Sequence, residues 1–439
     1  MSGIARVYLS KGFQVQGSDL KKTPILEDLE KAGAKIFIGH SAANLEGADL
    51  VVYSSSISVN HVERAAALEK KIPIIHRAEA LADICRDKFT IAVTGTHGKT
   101  TTTALVGMVL KEAERDPMIV VGGLVSFFGG NACDGAGREV VIEADESDSS
   151  FLHFSPSIAV VTNIEEEHMD HFGSMQKIEA TYRQFIGRLS AVGVWFGCAE
   201  DAQVLKMAYE NARRSKLYGF KEGADIRATD LVECPQGERG VSFKVWVHGK
   251  NLGAIQLKII GRHNTLNALA AVGVGLELGI PFEIIRRALE KYKGAARRFD
   301  VKYENKQYLV VDDYAHHPTE IQKTLLAARG LGRKRILAIF QPHRYTRTRS
   351  FLNDFAKSFS DADELIITDI YAASEAPIPG VTGQSVAEAI KKTGHPGVLF
   401  SERQHVTELV RRQMRPGDLV IALGAGDIYR VADEVAGAL

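Results

Sequence analysis

The stretch from residue 89 to residue 110 constrains this chain most. Phe89-Thr90-Ile91-Ala92-Val93-Thr94 reads as a strand and runs directly into Gly95-Thr96-His97-Gly98-Lys99-Thr100; Ala104, Leu105, Met108 and Val109 then recur at helical spacing. Strand, glycine-bearing turn and helix in that order make a phosphate-binding loop. Two glycines let the backbone approach a polyphosphate, helix N-terminal amides point at its oxygens, Lys99 adds a mobile positive charge, and Thr100 offers a hydroxyl to Mg2+. The general pattern needs glycine at position 93, where this chain has Val93, so the loop is the shortened G-x-x-G-K-T form. The segment predicts binding of ATP or GTP.

At 439 residues the chain has length for roughly three domains of ~150 residues each. Lys plus Arg balances Asp plus Glu, 54 against 54, so no global field favours nucleic acid or an anionic membrane, and any polyanion site is local. Cys85, Cys133, Cys198 and Cys234 are scattered without a C-x-x-C pair, which argues against a disulfide framework and a zinc site and fits reduced thiols in the cytoplasm. No apolar run approaches the ~18 residues of a spanning helix, and residues 1 to 12 lack a signal peptide's apolar core. The expectation is a soluble protein with no membrane insertion.

Residues 1 to 86 alternate helices at 2–10, 24–32 and 62–70 with strands at 13–15, 35–38, 50–53 and 73–75, an α/β nucleotide-binding pattern. The first strand leads to Gly17-Ser18-Asp19, and an acid closing a strand often meets a ribose in such folds. Of the glycine-rich turn that should precede it only Gly3 remains. Further on, strand 139–142 ends in Glu143-Ala144-Asp145-Glu146-Ser147-Asp148, and strand 158–162 ends in Asn163-Ile164-Glu165-Glu166-Glu167-His168-Met169-Asp170. Acids at strand C-termini face the crevice of an open sheet, and carboxylates there suit a Mg2+ opposite Thr100 that bridges β- and γ-phosphates. One such cluster alone reads as a solvated acidic turn. Two of them downstream of a phosphate loop read as a metal site, with His168 a candidate ligand beside the loop. Residues 224 to 261 turn to β-rich hairpins, including 241–247 and 253–259. A helix then opens at Arg262-His263-Asn264-Thr265-Leu266-Asn267, where Asn264 and Asn267 sit one turn apart, either capping the helix or reading an adenine edge.

Residues 294 to 439 open on Gly294-Ala295-Ala296-Arg297-Arg298-Phe299, a hinge with two guanidinium groups. Strands at 308–311, 335–340, 364–368, 398–400 and 419–423 with helices between them predict a third α/β domain of parallel type. The first strand end carries Asp312-Asp313-Tyr314-Ala315-His316-His317-Pro318-Thr319-Glu320. The second carries Gln341-Pro342-His343-Arg344-Tyr345-Thr346-Arg347-Thr348, whose arginines are placed to clamp a carboxylate or phosphate. Gly424-Ala425-Gly426-Asp427 reads as a tight strand-to-helix turn.

Together these stretches resemble the Mur ligases of bacterial peptidoglycan synthesis over nearly the whole chain. The resemblance rests on G-T-H-G-K-T-T at 95–101, E-A-D-E-S-D at 143–148, N-I-E-x-x-H-M-D at 163–170, H-N-x-x-N at 263–267, R-R-F at 297–299, D-D-Y-x-H-H-P-T-E at 312–320 and Q-P-H-R-Y-T-R-T at 341–348. It implies an α/β protein of three domains: a Rossmann-like UDP-sugar domain at 1–86, a central P-loop ATPase with an added β-layer at 87–293, and a C-terminal Rossmann-like domain at 294–439 that closes with the amino acid. It also implies, within the family, the branch that joins L-alanine to the lactyl carboxylate of UDP-N-acetylmuramate through an acyl phosphate, using ATP and Mg2+, as a cytoplasmic monomer or weak homodimer.

Carried over by motif, Gly95, Thr96, His97, Gly98, Lys99, Thr100 and Thr101 look like the nucleotide cradle. Thr100 and Glu143 look like ligands of one Mg2+, and His168 of a second. Asn264 and Asn267 look like adenine contacts, Arg297 or Arg298 like the γ-phosphate contact, and Asp313 like a nucleotide contact. His316, Arg344 and Arg347 resemble the alanine pocket. The family begins with a strand and a G-x-G-G-x-G-M-S-G turn for the pyrophosphate, whereas this chain opens at Met1-Ser2-Gly3, so weak UDP-sugar binding is expected of it as written. Arg183 lies near the place where sibling ligases carry a carbamoylated lysine, in agreement with the alanine-adding branch.

The nearest rival is the sibling that attaches a preformed tripeptide; it shares the loop and the H-H-P motif, but the arginine-rich 343–348 stretch suits the smaller amino acid. Folate and cyanophycin ligases lack the D-D-Y-x-H-H-P set. A Mur-like nucleotide-binding module without ligase activity is disfavoured by Lys99, Glu143, His168 and His316, and a dehydrogenase by the missing dinucleotide fingerprint.

Overall fold

Strand Phe89–Thr94 lies at the centre of a sheet because no side chain in it needs water: Thr90 through Thr94 are all buried. It pairs in parallel with Glu139–Glu143 on one side and Ile158–Val161 on the other. The sheet runs in the order Ser215–Gly219, Val194–Cys198, Ile158–Val161, Phe89–Thr94, Glu139–Glu143, Met118–Val125, Gly130–Cys133. Ile226–Glu233 follows on the Ser215–Gly219 side, in parallel, and then Val241–Val247 and Lys250–Leu257. From Phe89–Thr94 the chain passes over Glu139–Glu143 to Met118–Val125, and later returns from Glu139–Glu143 to Ile158–Val161 on the other side. The strand order therefore reverses beside Phe89–Thr94, and the crevice at such a switch point is where an open α/β sheet binds its ligand. The phosphate loop stands at that strand's carboxyl end.

This computed structural model describes residues 1–210, 215–233 and 239–439; Cys234 lies outside the described residues. The chain divides into two compact units, residues 1–229 with 245–253 and 266–289, and residues 230–244 with 254–265 and 290–439. In the first unit, helix Ser2–Ser10 forms as expected, but the first strand is Gln16–Asp19 and does not include residues 13–15. Gly12, at φ +85°, ends the helix, and Phe13 folds back so that its N–H reaches the Tyr8 carbonyl (3.0 Å) and its ring meets Tyr8 edge-on. Gln16–Asp19 pairs in parallel with Lys35–Ile38, and Val51–Tyr53 with Ile74–His76, as two separate two-stranded sheets. Helix Lys99–Glu112 is buried from Thr100 to Leu110, as a helix lined with small and apolar residues on every side must be.

The second unit holds a six-stranded sheet in the order Asp300–Glu304, Leu309–Asp313, Asp418–Leu423, Arg335–Phe340, Glu364–Ile367, Val398–Phe400. It is parallel as expected except for Asp300–Glu304, an antiparallel edge strand that the strand pattern did not show. Only an antiparallel pair can be joined so briefly, and Asn305 Oδ1 makes the turn by accepting the N–H groups of Gln307 (2.8 Å) and Tyr308 (2.7 Å). Alternate residues of the central strands feed two apolar cores, Val311, Ala338 and Ile421 on one face and Val310, Ile339 and Val420 on the other.

Cys85, Cys133 and Cys198 are free thiols; burial pushes Cys85 up to about 12 and Cys198 up to about 11, so both pack as protonated, unreactive side chains. Among the described residues no helix is long and apolar enough to cross a membrane.

Candidate functional site

The phosphate loop is fastened at its first half and left open at its second. Asn163 holds His97 at both backbone groups, its Oδ1 accepting from the N–H (2.8 Å) and its Nδ2 donating to the carbonyl (3.0 Å). Thr162 Oγ1 donates to the same carbonyl (2.6 Å), Thr96 N–H donates to the Asn163 carbonyl (3.0 Å), and Glu165 N–H donates to Thr96 Oγ1 (2.9 Å). Gly95, at φ +131°, allows this contact, because a Cβ there would sit 2.0 Å from Thr162 Oγ1. Gly98 then takes the left-handed conformation, φ +84°, as the residue before helix Lys99–Glu112, and no side chain caps that helix. Uncapped amides at a helix N-terminus suit an anion. Asn267, in helix Arg262–Glu277, braces the turn from behind: its Oδ1 accepts from Thr102 Oγ1 (3.1 Å) and lies where a Cβ on Gly98 would fall, 2.6 Å away. Asn264 donates its side-chain amide to the Ile260 carbonyl (2.8 Å).

Lys99 Nζ donates to the Gly95 carbonyl (2.6 Å), the Thr96 carbonyl (3.1 Å) and Glu146 Oε1 (2.7 Å). Desolvation opposes its charge, but Glu146, Asp145 and Glu143 outweigh that and hold Lys99 above the usual lysine range. Burial pushes Glu146 up to about 7 against the pull of the same ammonium. Asp145 is also desolvated, yet Lys99 and Arg77 bring it down to about 2; Arg77 Nη2 lies 2.6 Å from its Oδ2. Ser55 donates to Asp148 and lies 2.9 Å from His76 Nε2, so residues of the 1–86 stretch reach the acids that follow Glu139–Glu143.

A carboxyl whose folded pKa lies above its unfolded value stabilises the protein at low pH and loses that contribution as pH rises from about 4.5 through about 7. Urea unfolding at pH 5 and pH 8 should show a smaller loss of stability in Glu146→Gln than in the wild type; an equal loss would remove Glu146 as its source.

Thr100 Oγ1 lies 3.1 and 3.0 Å from the two oxygens of Glu143, and Gly122 N–H donates to Glu143 Oε2 (2.7 Å). A hydroxyl and a carboxylate, oxygen donors only, fit a hard cation such as Mg2+. His168 stands at φ +54° directly before the short helix Met169–Phe172. Arg183 pairs with Glu179 (3.2 Å) and Glu210 (2.8 Å).

In the second unit Arg297 is held inside its own fold. Its guanidinium lies 3.2 Å from Asp312 Oδ2, donates to the carbonyls of Gly424 (2.6 Å) and Ala425 (3.3 Å), and stacks over Tyr314 and Tyr429. Burial raises Asp312 to about 6 in spite of that cation. Arg298 lies over Tyr314 and 3.4 Å from Glu320. Asp313 accepts the N–H groups of Phe299 (2.7 Å) and Ala315 (2.8 Å) and so shapes the turn that carries His316. The His316 ring meets His343 edge-on at 5.8 Å, and Arg347 Nη1 lies 3.0 Å from His343 Nδ1. Arg344 pairs with Glu375 Oε1 (2.5 Å), which also takes the Thr346 hydroxyl.

Lys99, Thr100, Glu143 and Asn267 thus meet around one loop, while His316, Arg344 and Arg347 share one end of the second unit's sheet. Four contributors escaped sequence reasoning: Glu146, Asn163, Arg77 and Glu375. The first two stood inside motifs already singled out, but their partners could not be read from spacing.

A phosphate loop at the switch point of a mostly parallel sheet, with a lysine held among three acids and a threonine–glutamate oxygen pair, is the arrangement of P-loop α/β nucleotide-binding proteins. The chain belongs to the Mur ligase family: the family's catalytic domain matches residues 1–89, the Mur ligase middle domain residues 93–275, and the Mur ligase glutamate ligase domain residues 297–426. It is 45% identical to the UDP-N-acetylmuramate--L-alanine ligase of Anaeromyxobacter sp. (strain Fw109-5), over 100% of this chain and 95% of that one. The same enzyme of Geotalea uraniireducens (strain Rf4) is also 45% identical, over 99% and 94%. Among solved structures, the UDP-N-acetylmuramate-alanine ligase MurC of Thermotoga maritima superposes with a TM-score of 0.85 at 29% identity, covering 100% of this chain and 96% of that one. A murein peptide ligase from Psychrobacter arcticus shares the fold, with a TM-score of 0.73 at 22% identity over 100% and 96%.

Proposed function

We propose that this chain joins L-alanine to the lactyl carboxylate of UDP-N-acetylmuramate at the expense of ATP. The observation that carries the reading is the Lys99–Thr100–Glu143 constellation on a pre-shaped phosphate loop, in a chain alike over its full length to enzymes named for that reaction. The carboxylate takes the γ-phosphoryl group of ATP, the amine of L-alanine attacks the acyl phosphate, and phosphate leaves as the amide forms. Lys99 supplies charge where it builds up on the transferring group, and the open helix N-terminus binds the other phosphate oxygens. Thr100 and Glu143 would hold a Mg2+, which neutralises phosphate charge when bound.

The proposed division is 1–86 for the UDP-sugar, 87–293 for ATP and 294–439 for the amino acid, whose carboxylate Arg344 and Arg347 are chemically suited to receive. His168 is assigned to a second Mg2+, Asn264 and Asn267 to the adenine, Arg298 to the γ-phosphate and Asp313 to the nucleotide. Arg297, with three polar partners in its own unit, is reassigned to holding the loop after Asp418–Leu423. We place the reaction in the cytoplasm, with the chain a monomer or weak homodimer, which light scattering would measure. The deciding assay is phosphate release from ATP and Mg2+ with UDP-N-acetylmuramate, adding L-alanine or the cell-wall tripeptide in parallel. Release that needs both the sugar nucleotide and L-alanine is expected. Release with the tripeptide alone would transfer the assignment to peptide recycling, and release with neither would refute it.

A further inference from the structure

His40, His61 and Glu63 form a cluster in the first unit that shares no residue with the phosphate loop and its partners. One ligand-capable atom from each lies within 4.8 Å of the other two. Separate elements supply them: His40 comes just after strand Lys35–Ile38, His61 is the residue before helix Val62–Glu69, and Glu63 is in that helix's first turn. The carboxylate is already oriented. Ser18 Oγ donates to Glu63 Oε2 (2.7 Å), while Asn44 Nδ2 (2.8 Å) and Ser41 N–H (3.3 Å) donate to Oε1. Partial burial disfavours its charge, but these hydrogen bonds outweigh that and hold the carboxyl below its usual range. His40 Nδ1 lies 3.0 Å from Ser18 Oγ and 3.9 Å from Glu63 Oε1, and its ring meets that of His61 edge-on with centroids 4.5 Å apart. Both ring nitrogens of His61 are shut off from solvent with no hydrogen-bond partner among the described residues. An imidazole enclosed in this way is costly unless a nitrogen lone pair is used. The guanidinium of Arg64, next in the chain to Glu63, is turned aside, over the Tyr53 ring and onto the Ile57 carbonyl.

We propose that His40, His61 and Glu63 bind a divalent transition-metal ion of the zinc type. Two imidazoles and a carboxylate suit zinc or cobalt and disfavour Mg2+, which prefers oxygen alone. Bonds of about 2.0–2.2 Å to one ion require the three atoms to draw together by roughly an ångström, a movement within reach of side-chain rotation. Ser18, Asn44 and Ser41 already supply outer hydrogen bonds that orient Glu63, and Ser18 also lies against His40. The scattered cysteines spoke against zinc, but this donor set contains none. A metal here would also do structural work. The pair Gln16–Asp19/Lys35–Ile38 and the pair Val51–Tyr53/Ile74–His76 are separate sheets; His40 belongs to the end of the first, whereas His61 and Glu63 belong to the helix that leads into Ile74–His76. An ion held by all three would cross-link them and stabilise the folded state by mass action.

The test uses the full chain, stripped with a chelator and titrated with Co2+ followed by Zn2+. Wild type should bind Co2+ with a visible band of tetrahedral intensity, Zn2+ should displace it, and the melting temperature should rise by several degrees with Zn2+. His61→Phe, which keeps the ring volume, and His40→Gln should each lose the band and the thermal shift while keeping the wild-type circular dichroism. An oxygen-only site at Thr100 and Glu143 gives weak octahedral absorption and is unaffected by either variant. A band absent from the wild type, or one that survives in either variant, overturns the proposal.

Discussion

Lys99→Met is expected to lower kcat/KM for phosphate release by at least about 10³-fold, because it removes the cation proposed to neutralise charge on the transferring phosphoryl group. The surroundings of Lys99 add a second effect. Its ammonium is 2.7 Å from the buried Glu146 and is the strongest attraction holding the half-buried Asp145 ionised, so its removal leaves Glu146 buried without its cation beside an acid that Arg77 still pairs. Breaking a buried pair from one side costs about 3–5 kcal/mol. Urea midpoints measured beside the kinetics separate the two effects. Lys99→Met should be both inactive and unstable, and Lys99→Met with Glu146→Gln should regain much of the stability and none of the activity. A single variant within tenfold of wild-type activity would remove Lys99 from the chemistry. A double variant no more stable than the single one would show that Glu146 is not the group left stranded.

Gly95→Ala should be nearly as damaging for a different reason. The new methyl group would lie 2.0 Å from Thr162 Oγ1 and 3.0 Å from the backbone nitrogen and oxygen of Asn163, at a φ of +131° that alanine rarely adopts. Backbone strain of about 1–3 kcal/mol and a similar overpacking cost both fall on the contact that fastens the loop. The loop relieves them by pulling away from Thr162 and Asn163, which frees His97 and spreads the helix N-terminal amides. ADP affinity, measured by calorimetry, should fall by about tenfold or more, with a lower melting temperature. Thr162→Ala opens space for the methyl group, so adding it to Gly95→Ala should cost less than the two changes summed. Unchanged ADP affinity and melting temperature in Gly95→Ala would mean that this contact does not set the loop.

Several features of the site were legible because their causes are local. A continuous apolar strand, a glycine turn that only certain φ values satisfy, and a helix with apolar residues at its own period are all encoded within 22 residues, from 89 to 110. The chemical type of the strand ends was equally local: the Glu143–Asp148 and Asn163–Asp170 runs stand at strand C-termini in the fold as in the sequence. Where chain direction depends on a neighbour, the pattern failed. The start of strand Gln16–Asp19 is set by Phe13 folding back onto Tyr8, and the antiparallel edge Asp300–Glu304 by the short Asn305 turn.

The amino-acid sequence by itself determined the α/β class, the phosphate loop, its Thr100 and the Mur-like motifs, since each depends on residues close together in the chain. Only the tertiary structure decided that Asn163 would fasten His97, that Glu146 would be pushed up to about 7 against Lys99, and that Glu375 would pair with Arg344. Charge state and hydrogen-bond partner depend on which groups packing brings within a few ångströms and on how much water it removes, and neither is a property of sequence spacing.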